Sequence, residues 1–391
     1  MYKEKNFLLF LISQMAISSG DAFRIVAVTV MIFNISHSSL TATFGFVCSP
    51  VLSLLFSSIA GHVGDSVNPK YVVAVLDAAR GILVFCFAFC TKLWQIYIVI
   101  LLLSLIEVFY SPSRRKLMSG ILKKSEILRG NSLLNGVSGG AFILVPVLAG
   151  ILVECYGPEI ALAIGGLLSV TSAVQMLIIR QKVKLGINQH FSGVYSKSES
   201  KNISNLIFLG AFLCFASTLS NIAFYPFAFD TLRVNGNTWG LMLSVFYGAG
   251  IVATFAAFVL GKRTKKSLIG VCYIPIAVTM VVWLMYGFFN KLGWVFILLF
   301  LEGVAWAFLG IIIGSELQTK APQKALARII GMNDICCNIA RLLGTILSYC
   351  LLTFLTTKVV FCIGATLLAI FLLKFYFKDN IITFVKRGDW V

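Results

Sequence analysis

The chain has 391 residues, 59% of them hydrophobic and only 12% charged, and carries a formal net charge of +17. A soluble domain has about 25% charged residues, so the composition excludes an ordinary soluble protein and points to an integral membrane one. The surplus of basic residues would suit nucleic acid if it formed a patch, but it is dispersed among short loops.

A segment crossing about 30 Å of hydrocarbon needs roughly 20 apolar residues. Backbone groups in lipid must find partners within the segment, so such stretches are predicted to be helices. Twelve are predicted, over 7–33, 40–60, 71–90, 94–113, 131–153, 159–179, 205–229, 238–260, 268–289, 292–314, 331–354 and 358–377. Residues 180–204 form the only long polar interval, in which Arg180, Lys182, Lys184, Lys197 and Lys201 stand against a single acid, Glu199. The expected organisation is all-α: an N-terminal six-helix half (1–179), a basic cytoplasmic linker (180–204), and a C-terminal six-helix half with a short basic tail (205–391). With the N-terminus placed in the cytoplasm, that side holds 25 of the 32 Lys and Arg, and the opposite loops hold four: Lys92, Arg233, Lys291 and Lys358. Such a bias over short loops places both termini in the cytoplasm and explains the charge without a nucleic-acid partner. The opening MYKEKN precedes an apolar run too long for a cleaved signal peptide, so an uncleaved first helix is expected.

Ten cysteines lie almost wholly in the spans, with no C-x-x-C; the adjacent Cys336 and Cys337 read as small hydrophobes. His37, His62 and His190 are scattered and no H-E-x-x-H occurs, so no metal is expected. No G-x-x-x-x-G-K-[ST] is present either, which argues against ATP as the energy source.

In the first span Gln14, Ser18 and Asp21 fall on one helical face, and Arg24 follows Asp21 by three, close enough to neutralise it. A carboxylate at that depth must be paired, protonated or facing water. It is either an acid that takes a proton or cationic substrate, or half of a structural pair. Span 2 ends in GHVGDSVNPK. This turn resembles that between helices 2 and 3 of the major facilitator superfamily, G-x-x-x-D-R-x-x-R-K. Gly61, Asp65 and Lys70 match, while Ser66 and Pro69 depart from it. The resemblance implies two six-helix halves around a central cavity, with Gly61, Asp65 and Lys70 as a conformational latch.

Span 3 holds a second acid–base pair at i, i+3, Asp77 and Arg80, read as structural because this helix is peripheral in the superfamily. Span 4 carries Glu107 and Tyr110, and Pro112 is expected to end or kink it. Glu107 is a second candidate proton carrier, or a partner for Arg24 or Arg80. The run from 109 to 150 resembles the drug- and siderophore-exporter branch, which includes macrolide-efflux-like and enterobactin-exporter-like proteins. There Pro146 and Gly150 match the antiporter motif of helix 5, with Val145 and Ala149 replacing two glycines. Gly136, Gly139, Gly140 and Gly150 are expected to thin one side of the span for a facing helix.

In the second half, Ser217, Asn221 and Tyr225 form a polar stripe on span 7. Glu302 and Trp306 on span 10 offer an acid beside an aromatic wall, suited to a cationic or amphipathic ligand or bonded within the bundle. Asp334 and Arg341 lie on one face of span 11 and are candidates for pairing between helices. The resemblance implies a proton-coupled exporter working by alternating access as a monomer in the inner membrane. It needs no cofactor beyond a proton gradient, and its partners are the bilayer and a small amphipathic substrate such as a drug, siderophore or peptide-like toxin. An uptake carrier shares this topology, and a polytopic enzyme is the third class, for which no nucleophile–base set is visible.

Overall fold

The computed structural model describes residues 2–122, 127–179, 197–263, 272–289, 291–320 and 326–387. Twelve α-helices account for nearly all of them: α1 (Tyr2–Ser36), α2 (Gly45–Ser66), α3 (Pro69–Phe87), α4 (Leu93–Ile121), α5 (Ile127–Tyr156), α6 (Pro158–Ile178), α7 (Lys197–Pro226), α8 (Gly236–Arg263), α9 (Tyr273–Phe288), α10 (Leu292–Lys320), α11 (Leu326–Phe354) and α12 (Thr357–Arg387). Each overlaps one of the twelve predicted spans, and no strand occurs among the described residues. Among these residues, seven helices are long and apolar enough to cross a membrane, and shorter apolar stretches lie at Val47–Val63, Tyr273–Phe288 and Thr357–Leu373.

The helix junctions follow from local chemistry. Asn68 caps α3 by accepting a bond from the Lys70 N–H at 3.1 Å, and Pro69 occupies its first turn, where no N–H is needed. Between α5 and α6 the chain reverses at Gly157, whose φ of +87° is open to glycine, and Pro158 starts α6. Pro112 neither ends nor interrupts α4, which runs on for nine residues to Ile121; the expected helix end at this proline is corrected. At Pro226, by contrast, α7 gives way to a π turn, Phe227–Thr231.

The chain forms two compact units. The first comprises Met1–Val194 with Ala228–Gly248, and the second Tyr195–Phe227 with Ala249–Val391. In the first, α6 packs against both α1 and α3, α2 against α4, and α1 against α5. In the second, α7 packs against α11 and α12, and α9 against α10 and α12. Residues 180–196 of the expected linker lie outside the described residues.

Adjacent glycines on α6 place the helices of the first unit. A Cβ on Gly20 of α1 would stand 2.8 Å from the Gly165 carbonyl, and one on Gly81 of α3 would stand 2.9 Å from the Gly166 carbonyl. Side chains that small let helix backbones approach closely. Because Asp21 follows Gly20 and Arg80 precedes Gly81, docking α1 and α3 on neighbouring residues of α6 brings this acid and this base together.

A charge network in the first unit and an aromatic-capped acid in the second

Arg80 is the centre of the first unit's polar interior. Its guanidinium donates to Asp21 Oδ2 at 3.1 Å, pairs with Glu107 of α4, and lies 4.8 Å from the centroid of the Tyr110 ring. Arg24 donates to the other oxygen of Asp21 at 3.0 Å. Two acids and two bases from α1, α3 and α4 thus balance one another. Arg80 is 5% exposed, Asp21 22% and Glu107 54%. One end of the network is therefore enclosed by protein and the other is open.

Gln14 and Tyr110 join this assembly. The Gln14 amide donates to the Tyr110 hydroxyl at 2.8 Å and accepts from Arg114 at 3.1 Å, so Tyr110 is fixed as a floor beneath Arg80. Ser18 bonds to Ser138 of α5 at 2.9 Å. The structure thus unites five of the predicted residues: Gln14, Asp21, Arg24, Glu107 and Tyr110.

Sequence reasoning offered Arg80 as a partner for Glu107, which the structure shows, and missed its contact with Asp21. The expected Asp77–Arg80 pair is absent: Arg80 turns toward α1 and α4, while fully buried Asp77 accepts from Ser172 of α6 at 2.7 Å. Ser13 of α1 extends this chain by bonding to Ser172 at 2.7 Å. The i, i+3 spacing permitted a local pair, and contact with two carboxylates on other helices prevailed. The signal available was that Asp21 and Glu107 together outnumber Arg24.

Of the latch residues, the side-chain surroundings of Gly61 and Lys70 are described. Among the described residues, nothing lies within 4 Å of a Cβ built on Gly61. The Lys70 ammonium stands 5.4 Å from the ring of neighbouring Tyr71. Asp65 belongs to α2, and its side chain lies outside the described residues. On α5, no described residue lies within 4 Å of a Cβ built on Gly136, Gly139 or Gly140. Gly150 does meet another helix: its Cβ would lie 2.6 Å from the Gly236 carbonyl of α8. One turn along, a Cβ on Gly240 would collide with the carbonyl of Pro146. Pro146 and Gly150 thus form a backbone crossing with the start of α8, and Asn235 donates to Glu154 beside it at 2.8 Å.

In the second unit Glu302 of α10 is 5% exposed and both its oxygens are occupied. Trp283 Nε1–H donates to one at 2.7 Å and the Tyr286 hydroxyl to the other at 2.8 Å, both from α9. Trp306 stacks on Trp283, and Phe227 and Phe361 close around Tyr286. This enclosed carboxylate, with one donor on each oxygen, fits the bonded-within-the-bundle alternative. On α7, Ser217 bonds to the Cys214 carbonyl, Asn221 is exposed and Tyr225 is partly exposed. Among the described residues Asp334 and Arg341 do not pair with each other, and Arg341 donates to Asn338 Oδ1 at 3.1 Å.

Residues 7–194 match the family model described as Major Facilitator Superfamily. No curated protein matches the sequence. Among solved structures, the chain is similar to the nucleoside transporter NupG (14% identity, 95% of this chain and 98% of that one, TM-score 0.70). It is also similar to a bacterial homologue of the iron transporter ferroportin (16%, 95% and 98%, 0.71) and to the human organic anion transporter MFSD10 (11%, 95% and 99%, 0.71). The chain has the major-facilitator fold, and seven of its described helices are long and apolar enough to cross a membrane. These proteins are a nucleoside transporter, a homologue of an iron transporter and an organic anion transporter, so the fold by itself does not specify a substrate.

Proposed function

We propose that this chain is a secondary transporter, a proton-coupled exporter of a small amphipathic compound, such as a drug, siderophore or peptide-like toxin, acting as a monomer in the inner membrane with both termini cytoplasmic. The observation that carries this reading is one arginine, Arg80, shared by two carboxylates on different helices. A proton on Asp21 removes one arm of Arg80 and leaves the Glu107 arm; a proton on Glu107 does the reverse. The network therefore has two discrete arrangements selected by one proton, and each changes what α1 and α4 hold in common. Glu107, the exposed member, supplies the route to water. Helix rearrangement within repeated halves gives alternating access in transporters of this kind, and the ion gradient supplies the energy.

The test expresses the chain and Asp21→Asn in an efflux-deficient bacterium and measures accumulation of a panel of toxic compounds. Lower accumulation with the wild-type chain, abolished by a protonophore and absent in the variant at equal membrane levels, is expected. Higher accumulation would reverse the direction and favour uptake. Lower accumulation indifferent to the protonophore would remove the proton.

A further inference from the structure

Asp77 of α3 is fully buried, and its Oδ1 has no hydrogen-bond partner among the described residues. Its Oδ2 accepts from a neutral donor, the Ser172 hydroxyl, at 2.7 Å. The arginines around it are engaged elsewhere. Arg80 is shared between Asp21 and Glu107, Arg24 holds the other oxygen of Asp21, and Arg114 donates to Gln14. The charges that act on Asp77 are Arg80 of its own helix, Asp21 of α1 and Glu107 of α4, with Tyr110 of α4 beside them; α2 and α6 bring none among the described residues. Arg24 and Arg80 are thus matched by Asp21 and Glu107, and an ionised Asp77 would add a third negative charge to two positive ones.

A buried carboxylate that lacks a cation takes up a proton rather than bear the cost of its charge. The surroundings of Asp77 accommodate that proton. Ser13 of α1 and Ser172 of α6, both fully buried, bond to each other at 2.7 Å, and either hydroxyl can be the donor. With Asp77 ionised, Ser13 donates to Ser172 and Ser172 donates to Oδ2. With a proton on Oδ2 both hydroxyls turn, so that the acid donates to Ser172 and Ser172 to Ser13. Oδ1 is then the carbonyl oxygen of a neutral acid, and leaving it without a donor costs less than leaving a charged oxygen so.

We infer that Asp77 is a buried proton-binding site: it holds a proton in this arrangement, and one proton passes between Asp77 and Asp21 while Arg80 pairs with whichever of the two is ionised. Asp77 and Arg80 stand three apart on α3, so the guanidinium arm now on Asp21 can turn to Asp77 along its own helix. In the exchange an O–H bond breaks at Asp77 and one forms at Asp21, and the interior keeps two negative and two positive charges throughout. Asp21 is the open end, since it is 22% exposed and shares Arg80 with the exposed Glu107. Asp77 is the enclosed end. With the proton on Asp77, Arg80 ties α3 to α1; with the proton on Asp21, that tie is replaced by a contact within α3. The inference deepens the proposed proton coupling and rests on it.

Infrared spectroscopy of the full-length chain in lipid vesicles at neutral pH reads the acid without requiring transport. The C=O stretch of a carboxylic acid stands apart from the bands of a carboxylate and shifts in heavy water. Wild type is expected to show such a band, and Asp77→Asn to lose one group's share of it. Arg80→Met removes the cation and is expected to keep that share. Asp21→Ala leaves Arg24 and Arg80 facing Glu107 alone, so Arg80 turns to Asp77 and the Asp77 band is expected to vanish. Ser172→Ala is expected to move the band without abolishing it, which assigns it even where Asp77→Asn does not fold. A spectrum that neither Asp77→Asn nor Ser172→Ala changes, a band lost in Arg80→Met, or one that survives Asp21→Ala overturns the inference. Protonophore-sensitive export is expected to be lost in Asp77→Asn at equal membrane levels. Export as proton-driven as that of wild type in this variant would overturn the inference and leave the proposed function standing. Wild-type export indifferent to a protonophore, with the spectra as expected, would remove the proposed coupling and leave Asp77 as a protonated acid controlled by Arg80.

Discussion

Replacing Arg80 by methionine keeps the apolar bulk of the side chain and removes both of its ion pairs. The arm to Asp21 joins a nearly enclosed guanidinium to a carboxylate 22% exposed. Breaking a buried pair costs about 3–5 kcal/mol because it strands a charge, and Asp21 retains Arg24, so the lower figure of about 3 kcal/mol applies. Glu107 is 54% exposed, so its arm behaves as a surface pair contributing about 0–1 kcal/mol. The expected loss is therefore about 3–4 kcal/mol, unequally divided between two partners. Unfolding of the purified protein in mixed micelles, followed by titration with a denaturing detergent, measures it. A double-mutant cycle then divides it: coupling of Arg80→Met with Asp21→Asn is expected at about 2 kcal/mol, and with Glu107→Gln below about 1 kcal/mol. A variant as stable as wild type, or a larger coupling to Glu107 than to Asp21, would refute the assignment of Arg80 as a bond shared between an enclosed and an open acid.

Other substitutions probe the remaining contacts. Gly81→Val forces a side chain against Val170 and the Gly166 carbonyl; a loss of about 1–3 kcal/mol is expected from overpacking, read as a lower melting temperature. Gly136→Ala meets no described residue within 4 Å and is expected to be neutral or to stabilise by up to about 1 kcal/mol through helix propensity, so marked destabilisation would show that α5 is packed there. Glu302→Ala leaves the Trp283 and Tyr286 donors without their acceptor, at about 1–3 kcal/mol for each buried group. Glu302→Gln keeps an acceptor oxygen and is expected to lose less than half as much in the same melting assay. Gly240→Leu meets the Pro146 carbonyl. It is expected to lower export with little change in membrane level if the α5–α8 crossing must close during transport.

The fold was legible because its determinants are local. Runs of apolar residues long enough for a bilayer, broken by basic turns, fix twelve helices without reference to what each one touches. The site was legible mainly where its chemistry lay within one helix, the Glu107–Arg80 pairing being the exception. Asp21 and Arg24 are one turn apart, and their pairing follows from helical spacing. Arg80 has an acid at the same spacing and ignores it, because Gly20, Gly81, Gly165 and Gly166 bring α1 and α3 onto α6 closely enough for a second carboxylate to win. Glu302 shows the same dependence from the other direction. Its neighbour one turn away, Trp306, suggested a ligand wall, whereas Trp283 and Tyr286, some 16 to 19 residues earlier, are the groups that hold it. Glycines decide such outcomes through contacts with other helices, and a glycine with no described residue near its Cβ, such as Gly136, reads the same in sequence as one that locks two backbones together, such as Gly81. The charge that a helix keeps for function is thus the one its neighbours leave unneutralised, and that residue can be named only after every acid and base has been assigned its partner in three dimensions.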